Sequence, residues 1–176
     1  MKMQRYPKLH DARMVIALSG WMDGGDTSTG TVEYLVRKLS AREIDAIEPS
    51  DFYIYNIPGS MEISALFRPY TKIEDGLITV YQEPTNRFYC SEEHNLVLFT
   101  GKEPNVGWQR YAERILTVAA ECTVTMMYFV GSVAGLVPHT RGPRFHGSVS
   151  DESLKHILQT HGIVPSNYEG PASIIT

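Results

Sequence analysis

Apolar residues recur along this chain in short runs that are separated by longer stretches with helical spacing. Nearly continuous runs, which are typical of strands covered on both faces of a sheet, lie at residues 14–18, 95–99 and 126–130. Residues 51–56 and 77–82 alternate between apolar and polar side chains, and this pattern predicts two further strands that lie nearer an edge.

Three stretches place apolar residues at i, i+3, i+4 and i+7, the spacing that collects side chains on one face of a helix. They are residues 32–39, 108–119 and 154–161. The third is preceded by Ser150, a suitable N-cap, and is followed by Gly162. Because the strands alternate with helices, we predict a three-layer α/β sandwich with a mostly parallel central sheet.

Composition changes this picture little, but it excludes several classes of function. The 176 residues include 16 Lys and Arg against 20 Asp and Glu, which gives a net charge of −4. Without a basic stripe, we expect no nucleic-acid partner. The uncharged stretch at 122–138 is short and is interrupted by glycine and proline, so we expect no membrane span and a cytoplasmic protein. Cys90 and Cys122 are too few for a disulfide framework.

The length predicts a single α/β domain over residues 1–176. The chain stops inside an apolar run that begins at Ser173 and predicts the start of another strand. We therefore expect that these residues come from a longer protein.

The candidate chemistry lies in the loops that follow the three strongest strands. Because parallel strands end at the same edge of a sheet, we expect all three loops at the carboxyl edge, where open α/β sheets bind ligands. The first loop contains Gly20, Gly24 and Gly25, which allow an anion to approach the backbone at the start of the next helix. A turn from strand to helix also needs glycines for its own geometry, so the loop alone is weak evidence for a ligand.

Three side chains of the first loop have two interpretations each. Trp21 is either a stacking platform for a flat ligand or a wedge that packs the loop onto the domain or a neighbouring subunit, and packing is favoured. Asp23 and Asp26 act either as a base or metal ligands, or as caps of the following helix, and capping is favoured.

The second and third loops carry further charged groups. Glu103 either binds a hydroxyl or relays a proton, or it is a first-turn charge of the next helix, and the two interpretations are equally supported. The third loop concentrates His139, Arg141, Arg144 and His146. These groups would attract phosphate or carboxylate and donate protons, or they form a solvated basic loop.

The remaining sequence signals for enzyme chemistry are absent. The histidine spacings do not match a zinc site, and no serine lies in a G-x-S-x-G turn. We therefore expect no metal and no cofactor.

Several short motifs occur in a fixed order along nearly the whole chain. They are Ser19-Gly20-Trp21-Met22-Asp23-Gly24-Gly25, Asp51-Phe52-Tyr53, Arg68-Pro69, Glu103-Pro104 with Trp108, Pro138-His139-Thr140-Arg141 and Tyr168-Glu169-Gly170-Pro171. In this combination they resemble the proteasome assembly chaperone 2 family. Two positions depart from the family pattern, because Gly24 replaces the usual alanine and Gly142 separates Arg141 from Pro143.

The resemblance implies an α/β sandwich similar to nucleoside phosphorylases and a protein that forms homo-oligomers. It also implies that residues 1–176 are the N-terminal part of a longer relative, with a C-terminal helical segment absent. Eukaryotic members of the family are chaperones of proteasome assembly, so we expect an oligomeric assembly factor with a protein partner. The alternative is an enzyme or sensor that binds a nucleotide or another small anion. An ATP-grasp ligase is disfavoured, because the chain lacks that glycine loop and paired metal-binding acids.

Under the alternative, a ligand site lies at the carboxyl edge of the sheet. Its candidate residues are Gly20, Trp21, Asp23, Gly24, Gly25, Arg68, Glu103, His139, Thr140 and Arg141. Catalytic candidates are His139, as acid or base, together with Glu103 and Asp23. This hypothesis requires the first loop, Glu103, His139 and Arg141 to converge in one pocket.

Overall fold

The computed structural model describes residues 6–135 and 137–174 and divides the chain into two compact units. The larger unit comprises residues 1–133 and 173–176, and the smaller unit comprises residues 134–172. The helices and strands are, in chain order, β1 (Ala12–Ser19), α1 (Thr27–Lys38), β2 (Arg42–Ala46), α2 (Met61–Ala65), β3 (Tyr70–Glu74), β4 (Leu77–Gln82), β5 (Arg87–Ser91), β6 (Leu96–Lys102), α3 (Trp108–Glu121), β7 (Val124–Phe129), β8 (His146–Gly147), α4 (Lys155–Thr160) and β9 (Val164–Pro165).

The larger unit is built on a five-stranded sheet in the order β2-β5-β6-β1-β7. β1 pairs in parallel with β6 and with β7, whereas β5 is antiparallel to both β6 and β2. Four of the five strands therefore point the same way, and the predicted α/β fold with a mostly parallel sheet is confirmed.

Helices cover both faces of this sheet, because successive side chains of a buried strand point to opposite sides. On one face, Val32 of α1 packs against Ala17 and Leu98. On the other face, Tyr111 of α3 packs in the cluster that contains Phe99, with the ring centroids 6.1 Å apart. The result is the three-layer arrangement that the sequence predicts.

The three continuous apolar runs form β1, β6 and β7 as predicted, and the alternating run 77–82 forms β4. The predicted strand at 51–56 is wrong: a 3-10 turn, Pro49–Asp51, leads into an irregular segment. There the carbonyl oxygen of Phe52 accepts hydrogen bonds from the N–H groups of Asn105 and Val106, at 2.9 and 3.2 Å. The segment thus pairs with a loop, and Phe52 and Tyr53 enter the core without a sheet partner, while Ile54 is exposed.

Among the strands of residues 6–135 and 137–174, β4 pairs only with β3, in a two-stranded hairpin that is separate from the main sheet. The prediction of a strand starting at Ser173 fails for the described residues, because Ser173 and Ile174 form none. Ile175 lies outside the described residues. Sequence patterns also miss β2 and β5, since charged residues interrupt β2 and both strands are short.

The three predicted helices are confirmed as α1, α3 and α4. In the smaller unit, α4 extends a 3-10 turn, Glu152–Leu154, whose N-cap is Asp151 and not Ser150. The Asp151 carboxylate accepts a hydrogen bond from the Ser153 N–H at 2.8 Å. Gly162 follows the helix with φ +64°, as a helix-ending glycine does. β8 and β9 form a short parallel pair beside the buried Leu158.

Candidate functional site

The first and second loops meet where β1 and β6 end. Gly20 has φ +132°, a conformation that side chains disfavour, and a Cβ atom there would lie 3.3 Å from the Cβ of Glu103. The Glu103 N–H donates to the carbonyl oxygen of Ser19 at 2.9 Å, which continues the parallel ladder by one residue. Gly20 is therefore needed both for its backbone angle and for the close approach of the second loop.

Asp23 uses its carboxylate to cap α1. Its Oδ1 accepts hydrogen bonds from the N–H groups of Ser28 at 2.7 Å and Thr29 at 3.2 Å, and its Oδ2 accepts from the Thr29 hydroxyl at 2.7 Å. This geometry agrees with the capping interpretation of Asp23. Asp26, which directly precedes α1, makes no such side-chain bond and has a left-handed backbone with φ +54°.

The backbone of the first loop is held by the segment that follows β7. The Ser132 N–H donates to the carbonyl oxygen of Met22 at 2.8 Å, and the Gly24 N–H donates to the carbonyl oxygen of Ser132 at 3.1 Å. The Ser132 hydroxyl donates to the carbonyl oxygen of Gly24 at 2.9 Å, and the Ser28 hydroxyl donates to that of Val130. The Gly24 N–H therefore already has a hydrogen-bond partner within the protein. Gly25 has φ +63°.

Trp21 stands out on this fixed loop, because 61% of its surface is exposed. The loop is thus held by hydrogen bonds and not by burial of the indole, so packing of Trp21 into its own domain is not what fixes it. Trp108, in contrast, folds back on the second loop, where its indole N–H donates to the Pro104 carbonyl oxygen at 2.8 Å.

Glu103 is half-buried, and its Oε1 accepts a hydrogen bond from the backbone N–H of Ile174 at 3.0 Å. The interpretation of Glu103 as a first-turn charge is wrong, because α3 begins at Trp108 with Gly107 as its N-cap. Glu103 instead holds a remote segment of the chain against the carboxyl edge of the sheet.

A buried polar cluster beneath the second loop has no counterpart in the sequence analysis. Asn86 Oδ1 accepts hydrogen bonds from the hydroxyls of Tyr53 and Tyr111, at 2.7 and 2.9 Å, and from the Lys102 N–H at 3.1 Å. The Asn86 N–H₂ group donates to the Ile47 carbonyl oxygen at 3.3 Å. No local pattern marks Asn86, since its partners are distant in sequence.

Burial raises the pKa of Tyr53 to about 12, and burial is also the main cause that raises the pKa of Tyr111 well above its usual value. Both hydroxyls therefore stay neutral at physiological pH and serve as hydrogen-bond donors. The cluster fixes the loop carrying Glu103 from below, because it includes the backbone of Lys102, the preceding residue.

The other candidates lie elsewhere. Arg68 is exposed and follows α2 in the larger unit, while His139, Thr140 and Arg141 are exposed in the smaller unit. The Arg141 N–H donates to the Pro138 carbonyl oxygen at 3.0 Å and closes a turn. The ligand roles of all ten candidate residues, and their convergence in one pocket, stay predictions.

Within residues 6–135 and 137–174, no three His, Cys, Asp or Glu side chains form a group that could hold a metal ion. In the same part of the chain, no helix combines the length and apolar character needed to cross a membrane. Cys90 and Cys122 are both buried and free.

Two of the motifs that carry the family resemblance, residues 19–25 and Glu103-Pro104 with Trp108, thus meet at the carboxyl ends of β1 and β6. A model of the PAC2 family matches residues 17–176. The chain belongs to the PAC2 family. Among curated proteins, none matches this PAC2 chain at a significant level.

Solved structures agree with this assignment. A PAC2 family protein from Streptomyces avermitilis is 26% identical, with a TM-score of 0.72 over 94% of this chain and 67% of that protein. A proteasome-assembly chaperone homologue from Mycobacterium tuberculosis is 28% identical, with a TM-score of 0.73 over 92% of this chain and 65% of that protein. A second Mycobacterium tuberculosis protein, of unknown function, is 18% identical with a TM-score of 0.75, and shares the fold over 96% of this chain and 57% of its own length. This PAC2 chain therefore spans about two thirds of the length of the first two proteins.

Proposed function

We propose that this PAC2 protein is an oligomeric assembly factor in the cytoplasm, and that its protein partner is a proteasome subunit that is not yet assembled. The Mycobacterium tuberculosis relative, which is described as a proteasome-assembly chaperone homologue, suggests the class of partner. Similarity alone does not identify a binding surface, so the proposal rests on one structural observation: the large apolar surface of the β3–β4 hairpin.

Both strands of this hairpin are exposed along their whole length. Its large apolar and aromatic side chains, each 60–70% exposed, are Tyr70, Ile73, Leu77, Ile78 and Tyr81. The strand register places Ile73, Ile78 and Tyr81 on one face, which we call the hairpin surface, and Tyr70 and Leu77 on the other. A two-stranded hairpin is marginally stable in water by itself, and monomeric proteins rarely expose an apolar patch larger than a few hundred Å². The hairpin surface therefore favours a partner that covers it.

The charges of the hairpin favour a protein as this partner. Lys72 and Glu74 pair with each other at 2.8 Å, so β3 presents little net charge. A nucleic acid or an anionic membrane would need a basic surface, whereas the chain has a net charge of −4. Exposed tyrosines among aliphatic side chains are typical of the central part of a protein–protein interface.

Trp21 offers a second contact at the carboxyl edge of the sheet. Because hydrogen bonds to Ser132 and α1 already order its loop, burying the indole against a partner loses little backbone freedom. Tryptophans that enter a partner in this way often contribute a large part of the binding energy.

The test is a binding measurement with the proteasome α and β subunits of the same organism. Sedimentation velocity of the mixture should show a complex with one of them. Ile78→Asp and Tyr81→Asp should each weaken it at least tenfold, because an apolar contact is replaced by a charge, and Trp21→Ala should weaken it as well. Tyr34→Asp is the matched control, since Tyr34 lies on α1 and is 52% exposed.

Two results would contradict the proposal. One is the absence of a complex with either subunit, and the other is a complex that all four variants form equally well. The homo-oligomer is tested separately, by sedimentation of the protein alone over a wide concentration range. A monomer throughout that range would contradict the oligomeric part while leaving the partner to be tested.

A further inference from the structure

A hollow of about 190 Å³ lies within the smaller unit, on the segment between β7 and β8. Its lining consists of Val137, Pro138, Arg141, Gly142 and Arg144. Two arginines thus lie in one small concavity whose other lining residues carry no charged side chain. Both arginines are exposed to solvent.

Neither arginine is neutralised by a neighbouring acid in the described part of the smaller unit, residues 134–135 and 137–172. The seven ion pairs of the described chain involve other basic residues. Two acids of this unit are engaged elsewhere. Asp151 accepts hydrogen bonds from Ser153, and Glu152 pairs with Lys155 at 3.1 Å.

The backbone that carries the two arginines is constrained. The hydrogen bond from the Arg141 N–H to the Pro138 carbonyl oxygen closes a turn, and Pro138 and Pro143 fix φ on both sides of it. Two positive charges that line the same hollow attract an anion. Guanidinium groups also match the spacing of oxygen pairs on phosphate and carboxylate groups.

The size of the hollow limits the ligand. At about 190 Å³, it is smaller than the roughly 300–1,000 Å³ of sites that enclose a drug-sized molecule. A single phosphate or carboxylate group is small enough to enter, whereas a complete nucleotide would extend outside.

We infer that this hollow is a binding site for a small oxyanion, held by the guanidinium groups of Arg141 and Arg144. The inference goes beyond the assembly role and does not depend on it, because the hairpin surface and Trp21 belong to the larger unit. Arg144, which sequence reasoning placed in a basic loop without assigning it to a site, becomes the second ligand-holding residue.

The experiment is calorimetric titration of the full chain with inorganic phosphate and, separately, with acetate, at low ionic strength. Arg141→Gln and Arg144→Gln should each weaken binding at least tenfold, since each removes a charge-assisted hydrogen-bonding group. Lys155→Gln is the matched control: it removes one positive charge from the same unit, outside the hollow, and should change the affinity less than twofold. Circular dichroism of each variant checks the fold, which exposed arginines should not affect.

The two titrations also identify the chemistry. Tighter binding of phosphate assigns the site to a phosphate group, and tighter binding of acetate assigns it to a carboxylate. Failure of the wild-type protein to bind either ion would overturn the inference. Equal weakening by Lys155→Gln would overturn it as well, because the effect would then reflect the general charge of the unit.

Discussion

Strands β4 and β5 are separated by only four residues, and β4 is the more apolar of the two, yet their surroundings are opposite. β5 lies between β2 and β6 in the main sheet, where Phe88 and Cys90 are buried. β4 has six consecutive exposed residues and, in the described part of the chain, pairs with one strand, β3. The comparison shows that the number of covering elements decides burial, since both strands carry side chains able to enter a core. Apolar surface that the fold leaves uncovered, as on β4, is then available to another molecule.

The largest expected effect is on stability, and it distinguishes the buried strand β5 from the exposed strand β4. Phe88→Ala should lower the free energy of unfolding by about 3–5 kcal/mol, because it leaves a cavity beside Phe99, whose ring centroid lies 4.4 Å away. Tyr81→Ala should change the stability of the dissociated monomer by about 0.5 kcal/mol or less, since its ring is exposed. Urea unfolding at low protein concentration measures both. A Tyr81→Ala cost comparable with that of Phe88→Ala would break the comparison, because it would mean that the hairpin is covered within one chain.

The second prediction concerns alkaline pH and the polar cluster next to β5. The pKa of Tyr53 is about 12 in the folded protein against 10.0 for an exposed tyrosine. The contribution of this hydroxyl to the free energy of unfolding is therefore fully present below pH 10 and is lost as the pH rises towards about 12, because Tyr53 ionises at a lower pH in the unfolded chain than in the folded protein. Two pKa units correspond to about 2–3 kcal/mol.

Urea unfolding between about pH 9 and pH 12 measures this loss. Tyr53→Phe should reduce the decline, at a cost of about 1 kcal/mol at neutral pH from the lost hydrogen bond. Tyr34→Phe is the control, because Tyr34 is exposed and its replacement should leave the decline unchanged. Identical pH profiles for the wild type and Tyr53→Phe would contradict this prediction, because they would mean that water reaches the Tyr53 hydroxyl in the folded protein.

The smallest expected effect tests how closely the core is packed around that cluster. A Cβ atom at Gly101 would lie 2.7 Å from both Asn86 Oδ1 and the Tyr111 hydroxyl, so Gly101→Ala should cost about 1–3 kcal/mol. Gly30 lies in α1, where no described atom beyond the adjoining helix backbone would lie within 4 Å of the added carbon, and Gly30→Ala should stabilise the protein by about 0.5–1 kcal/mol. Thermal unfolding of the two variants should thus shift in opposite directions. A shift in the same direction would contradict the packing described here.

The candidate site divides into parts that local sequence predicts and parts that it does not. A glycine-rich turn before a helix predicts that Asp23 is a cap, because the bond joins residues five and six positions apart. The bond between Glu103 and Ile174 spans 71 residues, and the contact between Asn86 and Tyr53 spans 33. No pattern along the chain encodes these contacts, since they depend on how the sheet brings distant segments together.

The sequence alone determined the elements whose apolar side chains repeat with a clear period, and the motifs that relate this chain to the PAC2 family. It determined them because hydrophobic periodicity and turn chemistry are properties of neighbouring residues. Only the tertiary structure decided that Phe52 and Tyr53 enter the core from a segment that forms no strand, and that β4 lies exposed in a separate hairpin. Both outcomes depend on which elements pack against each segment. That packing depends on contacts between residues far apart in the sequence, so local patterns do not determine it.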